Sequence, residues 1–264
     1  MISDTLLPSD AVLLDLALRL AREASDIINA IRAKGFVTKT KSDRSPVTEA
    51  DQAAETHILA GLRAAVPQIP VIAEEEVAAG IYVAPARTYW LVDPLDGTRE
   101  FAAGRDDFTV NIGLVRDDQA VLGAMALPAY GQFYTGGVGL GAKRFDSEGE
   151  HDIHVRTSPA AGLAVLASRH HGDAPELKRF LDGRVIASIG NIGSAVKFVR
   201  VAEGVADFYP RLGPTMEWDT AAPQAIVEAA GGTITLLDGE PLRYSKSGWK
   251  NPSFVCTGLL SAVA

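Results

Sequence analysis

The sequence predicts an α+β first half with an antiparallel sheet, followed by an α/β second half, the two dividing near residues 150–157. Three observations carry this prediction. Residues 9–33 and 48–65 place apolar side chains at helical spacing. Residues 108–145 change to short apolar runs separated by turn residues, the pattern of an antiparallel meander. Beyond Thr157, short strand-like and helix-like segments alternate, as in α/β layers. The expected units are therefore residues 1–152 and 153–264.

In chain order, Val12, Leu13, Leu16, Leu20, Ile27, Ile28 and Ile31 form the apolar stripe of the first helix, with Ser9 or Asp10 as N-cap and Gly35 as its stop. Residues 39–46 are polar and contain Pro46, so they read as a loop. A second helix spans about Thr48 to Ala65 and is closed by Pro67. Val71-Ile72-Ala73 is a short buried strand ending in three glutamates. Tyr89 to Val92 is another strand, stopped by Asp93-Pro94. Strands at 108–115, 120–127 and 132–135 follow, and four glycines between Gly136 and Gly141 suit a tight hairpin connection. In the second half, strands are expected at 163–167, 185–188, 206–209, 233–236 and 254–257. Helices are expected at 174–181, 194–202 and 220–230.

Bulk properties narrow the function. The 264 residues are 47% hydrophobic and 22% charged, which suits a soluble protein with a substantial core. A net charge of −8 disfavours a general nucleic-acid binder, which needs excess positive charge to displace counterions. An acidic chain still acts on phosphates when divalent cations or a local basic pocket invert the field. Cys256 is the single cysteine, so an internal disulfide and cysteine-built metal sites are excluded. No apolar stretch approaches the ~20 residues that span a bilayer, and the N-terminus lacks a signal pattern. A cytoplasmic location fits; peripheral contact with the inner membrane face and the oligomeric state stay open.

The strongest local signal is Asp93-Pro94-Leu95-Asp96-Gly97-Thr98. Two carboxylates three residues apart, where a buried strand turns into a new element, can converge on one point. Pro94 restricts the backbone of Asp93, and Gly97 lets the chain approach a ligand closely. If a helix or turn starts here, the Gly97 and Thr98 amides favour an anion, while carboxylate and backbone oxygens suit Mg²⁺. An ordinary Asp-Pro turn with an Asp cap fits the hexapeptide as well. Glu74-Glu75-Glu76 repel one another unless a cation sits nearby; taken alone a solvated acidic turn explains them better, but the run follows an apolar strand, which adds weight to the cation reading. Asp219, in Trp218-Asp219-Thr220-Ala221-Ala222, is placed either as a ligand or as the N-cap of the following helix, with Pro223 tolerated in its first turn. Asp51, in Thr48-Glu49-Ala50-Asp51, completes a capping box with Asp in place of Glu. Arg169 and His170 follow a buried strand, Lys197 lies on a helix, Arg211 ends a strand and Lys41 sits in a loop. Each is a candidate solvated charge; together they could line an anion pocket.

In this order, these segments resemble the lithium-sensitive, Mg²⁺-dependent phosphatase superfamily that includes inositol monophosphatase and fructose-1,6-bisphosphatase. An acidic strand end, an Asp-Pro-Leu-Asp-Gly-Thr turn and Trp-Asp at a helix start carry the resemblance, which runs from about Lys41 to Pro252. Tyr209-Pro210-Arg211 and Gly213-Pro214-Thr215 favour the bacterial 3′(2′),5′-bisphosphate nucleotidase branch. The resemblance implies a layered α/β/α/β/α sandwich and two or three Mg²⁺ per site. It makes Glu74, Asp93, Asp96 and Asp219 metal ligands together with the Leu95 carbonyl, and Glu75 a supporting neighbour. Asp51 matches a position that holds a further metal through water or, with Glu74, orients the nucleophile, and Thr98 matches the hydroxyl that works with it. Substrate contacts are implied for Glu74, Leu95, Asp96, Gly97, Thr98, Arg169, His170, Lys197, Arg211 and Asp219. Glu76 stands where Asp is common and Pro223 where a small residue would be unremarkable, and neither touches the expected chemistry.

The implied reaction is hydrolysis of the 3′-phosphate of adenosine 3′,5′-bisphosphate to AMP and phosphate. One rival is inositol monophosphatase or a related sugar phosphatase activity on the same fold. Another is a non-catalytic phosphometabolite-binding protein, against which the full set of acidic ligands argues.

Overall fold

The first helix, α1 (Asp10–Lys34), starts where the Ser9 hydroxyl accepts the Val12 amide and ends at Gly35. The computed structural model describes residues 7–40, 46–84, 86–169 and 174–261. Strands β1 (Thr38–Thr40) and β2 (Pro46–Thr48) pair antiparallel, where the sequence reading expects a loop. Helix α2 (Glu49–Ala65) begins with the expected capping box. The Thr48 hydroxyl accepts the Ala50 amide at 3.1 Å, and Asp51 Oδ2 accepts the Thr48 amide at 2.8 Å.

The first sheet has seven strands in sequence order: β3 (Val71–Ala73), β4 (Thr88–Asp96), β5 (Thr109–Arg116), β6 (Gln119–Leu127), β7 (Gln132–Gly137), β8 (Gly141–Asp146) and β9 (Gly149–Asp152). The β3–β4 pair is parallel and the rest are antiparallel. Short helices α3 (Glu74–Ala78) and α4 (Thr98–Ala102) leave the ends of β3 and β4. Contrary to the expectation, β4 does not stop at Asp93-Pro94. Asp93 pairs with Asn111 and Asp96 with Thr109, so one extra residue bulges out of β4. A bulge accommodates Pro94, whose missing N–H would otherwise break the ladder.

The second sheet is built from β10 (Leu163–Ser168), β11 (Ile186–Ile192), β12 (Phe208–Arg211), β14 (Thr233–Leu236) and β16 (Phe254–Thr257), in the order β11-β10-β12-β16-β14. Strands β13 (Thr215–Met216) and β15 (Lys250–Asn251) form a separate antiparallel pair. Helices α5 (Ala174–Phe180), α6 (Val196–Ala202) and α7 (Ala221–Ala229) complete the chain.

Packing sets the layer order. Leu13, Leu20, Ile58 and Leu62 of α1 and α2 share a core with Val92, Ile112 and Leu122 on one face of the first sheet. On the other side, Val199 of α6 and Ile226 and Val227 of α7 pack with Met125 and Tyr134 of the first sheet and with Tyr209 and Phe254 of the second. Leu177 and Phe180 of α5 cover Leu163 and Phe208 on the outer face. The result is the α/β/α/β/α sandwich that the resemblance implies. Helix α7 lies unusually close to the first sheet because glycines floor its seat. A Cβ on Gly113 would come within 2.6 Å of the Ala222 nitrogen, and one on Gly123 within 2.3 Å of the Ala222 oxygen. No helix among the described residues is long and apolar enough to cross a membrane.

Candidate active site

The bulged end of β4 shapes the centre of the site. Asp93 Oδ1 accepts the Leu95 amide at 3.0 Å, folding the turn back on itself. Gly97 then takes a φ of 93° immediately before α4, a left-handed conformation that other residues adopt at a cost. Space imposes the same choice: a Cβ there would lie 2.8 Å from the Asp107 carbonyl oxygen and 2.9 Å from the Ser194 Cβ.

Helix α2 supports this turn from behind. Asp51 is 1% exposed; its Oδ2 accepts both the amide and the hydroxyl of Thr48, and its Oδ1 lies 2.9 Å from the Thr98 hydroxyl. The Leu95 carbonyl oxygen is 3.1 Å from that same hydroxyl. One proton serves one acceptor at a time, and the carboxylate is the stronger. The oxygen lone pairs of Thr98 then stay available to a donor in front of them. Asp51 thus acts both as the cap and as the partner of Thr98.

Glu74 is the first residue of α3, so the three glutamates form a helical first turn and not a loop. A helix N-terminus tolerates acids because its free amides and dipole are positive there. Asp219 arrives from the second half in a 3₁₀ turn, Glu217–Asp219, and is not the N-cap of α7. Thr220 occupies that position without a side-chain capping bond, while Asp219 Oδ2 turns back to accept the Met216 amide at 2.8 Å. Fully buried Glu217 secures the turn by accepting the Ser245 and Lys246 amides at 3.0 and 2.8 Å.

Glu74, Asp93, Asp96, Gly97, Thr98 and Asp219 line one cavity of ≈ 380 Å³, within the size range of small-molecule sites. Asp51 and Leu95 are not among its lining residues; each has an oxygen within hydrogen-bond reach of the hydroxyl of Thr98, which is. Burial raises the carboxyl pKa of Asp93 well above the ordinary carboxylate value, and Glu74, Asp96 and Asp219 add to the effect. Burial does the same to Asp219, reinforced by Asp96 and Glu74. For Asp96, burial again raises the value, opposed by Lys197, the Ala195 amide and Arg211. Burial also raises Asp51, against its bonds to Thr48 and Thr98. Acids are therefore gathered so that Asp93 and Asp219 are made harder to ionise by their neighbours. Hard oxygen donors with unbalanced negative charge fit a divalent cation such as Mg²⁺, which removes that conflict.

The basic positions behave less uniformly. Arg169, Lys197 and Arg211 line the same cavity, and His170 and Lys41 lie outside the described residues. Arg169 is already engaged, donating to Glu100 Oε1 at 3.1 Å and Asp107 Oδ2 at 2.8 Å. The Lys197 ammonium is 1% exposed and donates to the Ile192 and Ser194 carbonyl oxygens, and burial pushes it down to about 7 despite Asp96 nearby. Arg211 donates to the Ser168 hydroxyl at 3.0 Å and the Pro214 oxygen at 2.6 Å. Lys197 and Arg211 thus shape the loops at the rim as well as supplying positive potential. The sequence reading missed Glu100, which is 1% exposed, and the Gly193–Ala195 loop, whose Ala195 amide donates to Asp96 Oδ2 at 2.5 Å. No local pattern marks either; only the meeting of the two halves does.

The chain is similar to known proteins over most of its length. The model of the inositol monophosphatase family matches residues 10–260. A protein of Escherichia coli K12 named 3′(2′),5′-bisphosphate nucleotidase CysQ is 40% identical over 245 residues, covering 92% of this chain and 98% of the relative. The same name belongs to a Salmonella typhimurium protein, 40% identical over 93% of this chain and 99% of its own length. Among solved structures, CysQ from Bacteroides thetaiotaomicron superposes with a TM-score of 0.78 at 32% identity, covering 94% of this chain and 97% of that one. An inositol monophosphatase from Anabaena gives 0.76 at 26% identity, covering 94% and 92%.

Proposed function

The chain belongs to the inositol monophosphatase family, and from that premise we propose that it is a Mg²⁺-dependent 3′(2′),5′-bisphosphate nucleotidase. Its reaction is hydrolysis of the 3′-phosphate of adenosine 3′,5′-bisphosphate, giving AMP and phosphate. The observation that carries this reading is the convergence on one cavity of Glu74 from α3, Asp93 and Asp96 from β4, and Asp219 from the 3₁₀ turn. The names of the E. coli and Salmonella relatives support the substrate. Glu74, Asp93, the Leu95 carbonyl, Asp96 and Asp219 would hold two or three Mg²⁺. When bound, Mg²⁺ supplies Lewis acidity, neutralising phosphate charge and making water a stronger acid.

The protein's own groups do the rest. Thr98, its proton held by Asp51, offers a lone pair that, together with the Glu74 carboxylate, orients the attacking water in line with phosphorus. The Gly97 and Thr98 amides face the phosphate oxygens. Arg169, Lys197 and Arg211, with His170 next to Arg169 in sequence, favour an ester bearing a second anionic group. A cytoplasmic setting suits this activity.

The test is a panel assay of phosphate release from adenosine 3′,5′-bisphosphate and inositol 1-phosphate, with Mg²⁺ and with or without LiCl. The expected result is a preference for the nucleotide, abolished by chelation and inhibited by lithium. Preference for inositol 1-phosphate would overturn the substrate, and release that survives chelation would overturn the metal assignment.

A further inference from the structure

Five-residue helix α3 has no cap of its own. Ala73, at its N-cap position, offers no side-chain acceptor, and the first amides of any helix lack intrahelical partners. Glu55, from the middle of α2, supplies what is missing. Its Oε2 accepts the Glu75 amide at 2.8 Å and its Oε1 accepts the Glu76 amide at 2.9 Å, so each carboxylate oxygen takes one donor. Glu55 is 5% exposed. A buried carboxylate set beside three consecutive glutamates is an electrostatically poor way to cap a helix, since a neutral Ser or Asn at position 73 would do so without repulsion. What the bidentate carboxylate adds is orientation: it fixes the plane of the first turn, and so the direction in which Glu74 leaves it. Arg63, two turns further along α2, grips the same element by donating to both oxygens of Glu76 at 2.9 and 2.7 Å. Asp51 and Glu55 stand four residues apart on one face of α2, and the first reaches the Thr98 hydroxyl.

We infer that Glu55 is a positioning residue for the metal site, holding the first turn of α3 so that the Glu74 carboxylate is presented to the cation. The inference rests on the reading of Glu74 as a metal ligand and deepens it. Outer-shell partners of ligating carboxylates commonly contribute about 10–100-fold to metal affinity. Gln at position 55 keeps one acceptor oxygen but turns an NH₂ toward the second amide, whereas Ala removes both acceptors.

The experiment is calorimetric titration of Mg²⁺, without substrate, into Glu55→Ala, Glu55→Gln, Glu74→Gln and the unaltered protein. Mg²⁺-dependent turnover and thermal unfolding in chelator are measured alongside. The expected result is a Kd for Mg²⁺ raised roughly 10–100-fold in Glu55→Ala and by less in Glu55→Gln. The KM for the nucleotide at saturating Mg²⁺ should change less than about two-fold, the split expected of a metal-positioning role. If Glu55→Ala fails to fold, Glu55→Gln decides alone. A lowered Tm with an unchanged Kd would show a merely structural cap and overturn the inference while leaving the metal assignment intact. Unchanged Mg²⁺ binding in Glu74→Gln would overturn both.

Discussion

Replacing Asp93 with Asn separates two demands on this carboxylate, the proposed binding of a cation and the fit to a folded chain. Asn retains an oxygen to accept the Leu95 amide, so the bulged turn should keep its shape. What disappears is a charge that burial and three neighbouring acids oppose. Like charges roughly 6 Å apart repel by about 3 kcal/mol at an effective dielectric of ~20. Linkage sets a ceiling: the unfolded carboxyl ionises near 3.8, so the penalty carried by the folded one at pH 7 cannot exceed about 4 kcal/mol. In chelator, Asp93→Asn should therefore be the more stable protein, by at most about 4 kcal/mol, with a Tm higher by up to roughly 10 °C. Saturating Mg²⁺ should narrow that difference. A cation at a hundred times its Kd stabilises the unaltered protein by about 2.7 kcal/mol, which the variant loses together with turnover. Differential scanning calorimetry with and without Mg²⁺, paired with a phosphate-release assay, reads both effects. A variant less stable than the original in chelator, or one that keeps its Mg²⁺-dependent turnover, would refute the reasoning.

Three further outcomes follow from the same geometry. Thr98→Val should leave the fold intact but lower kcat by roughly 10²–10⁴-fold, because Asp51 then has no hydroxyl to orient; a kcat within a few-fold of the original would remove Thr98 from the chemistry. Gly123→Ala would press a methyl group within 2.3 Å of the Ala222 oxygen, costing about 1–3 kcal/mol by overpacking and displacing the Asp219 turn. It should lower Tm in calorimetry and weaken Mg²⁺ binding together. Burial pushes the Glu55 carboxyl from 4.5 up to about 7, so the folded chain binds a proton there that the unfolded chain has lost. Stability in chelator should accordingly fall as pH rises from about 4.5 to 7, by about 3 kcal/mol at most from this group. Urea unfolding across that range should show a shallower slope for Glu55→Gln, and equal slopes would contradict the assignment.

Much of the first half was readable because its decisive interactions are local. The helical stripes of α1 and α2, the Thr48–Asp51 capping box and the Asp93–Thr98 turn all depend on residues within a few positions of one another, where capping and turn rules apply. The reading failed where a partner came from elsewhere. Strand β4 runs through Pro94 because β5 accepts a bulge, which requires knowing which residues of β5 face it. Asp219 looked like a cap because a helix follows it, yet its carboxylate turns toward Met216 in a 3₁₀ turn that Glu217 braces against the Ser245–Lys246 loop.

The sequence by itself therefore determined the candidate acids, the Asp93–Thr98 turn and the order of α+β then α/β segments. Only the tertiary structure decided that Asp219, more than a hundred residues from the Asp93 turn, shares a cavity with it. It also decided that Glu55 caps the Glu74 helix, that Glu100 and Asp107 engage Arg169, and that Lys197 turns to backbone carbonyls. The physical reason is that local propensity acts between near neighbours in sequence. The convergence of like charges is instead imposed by burial, here by α7 settling onto a glycine floor with enough packing energy to hold acids together that would separate in water.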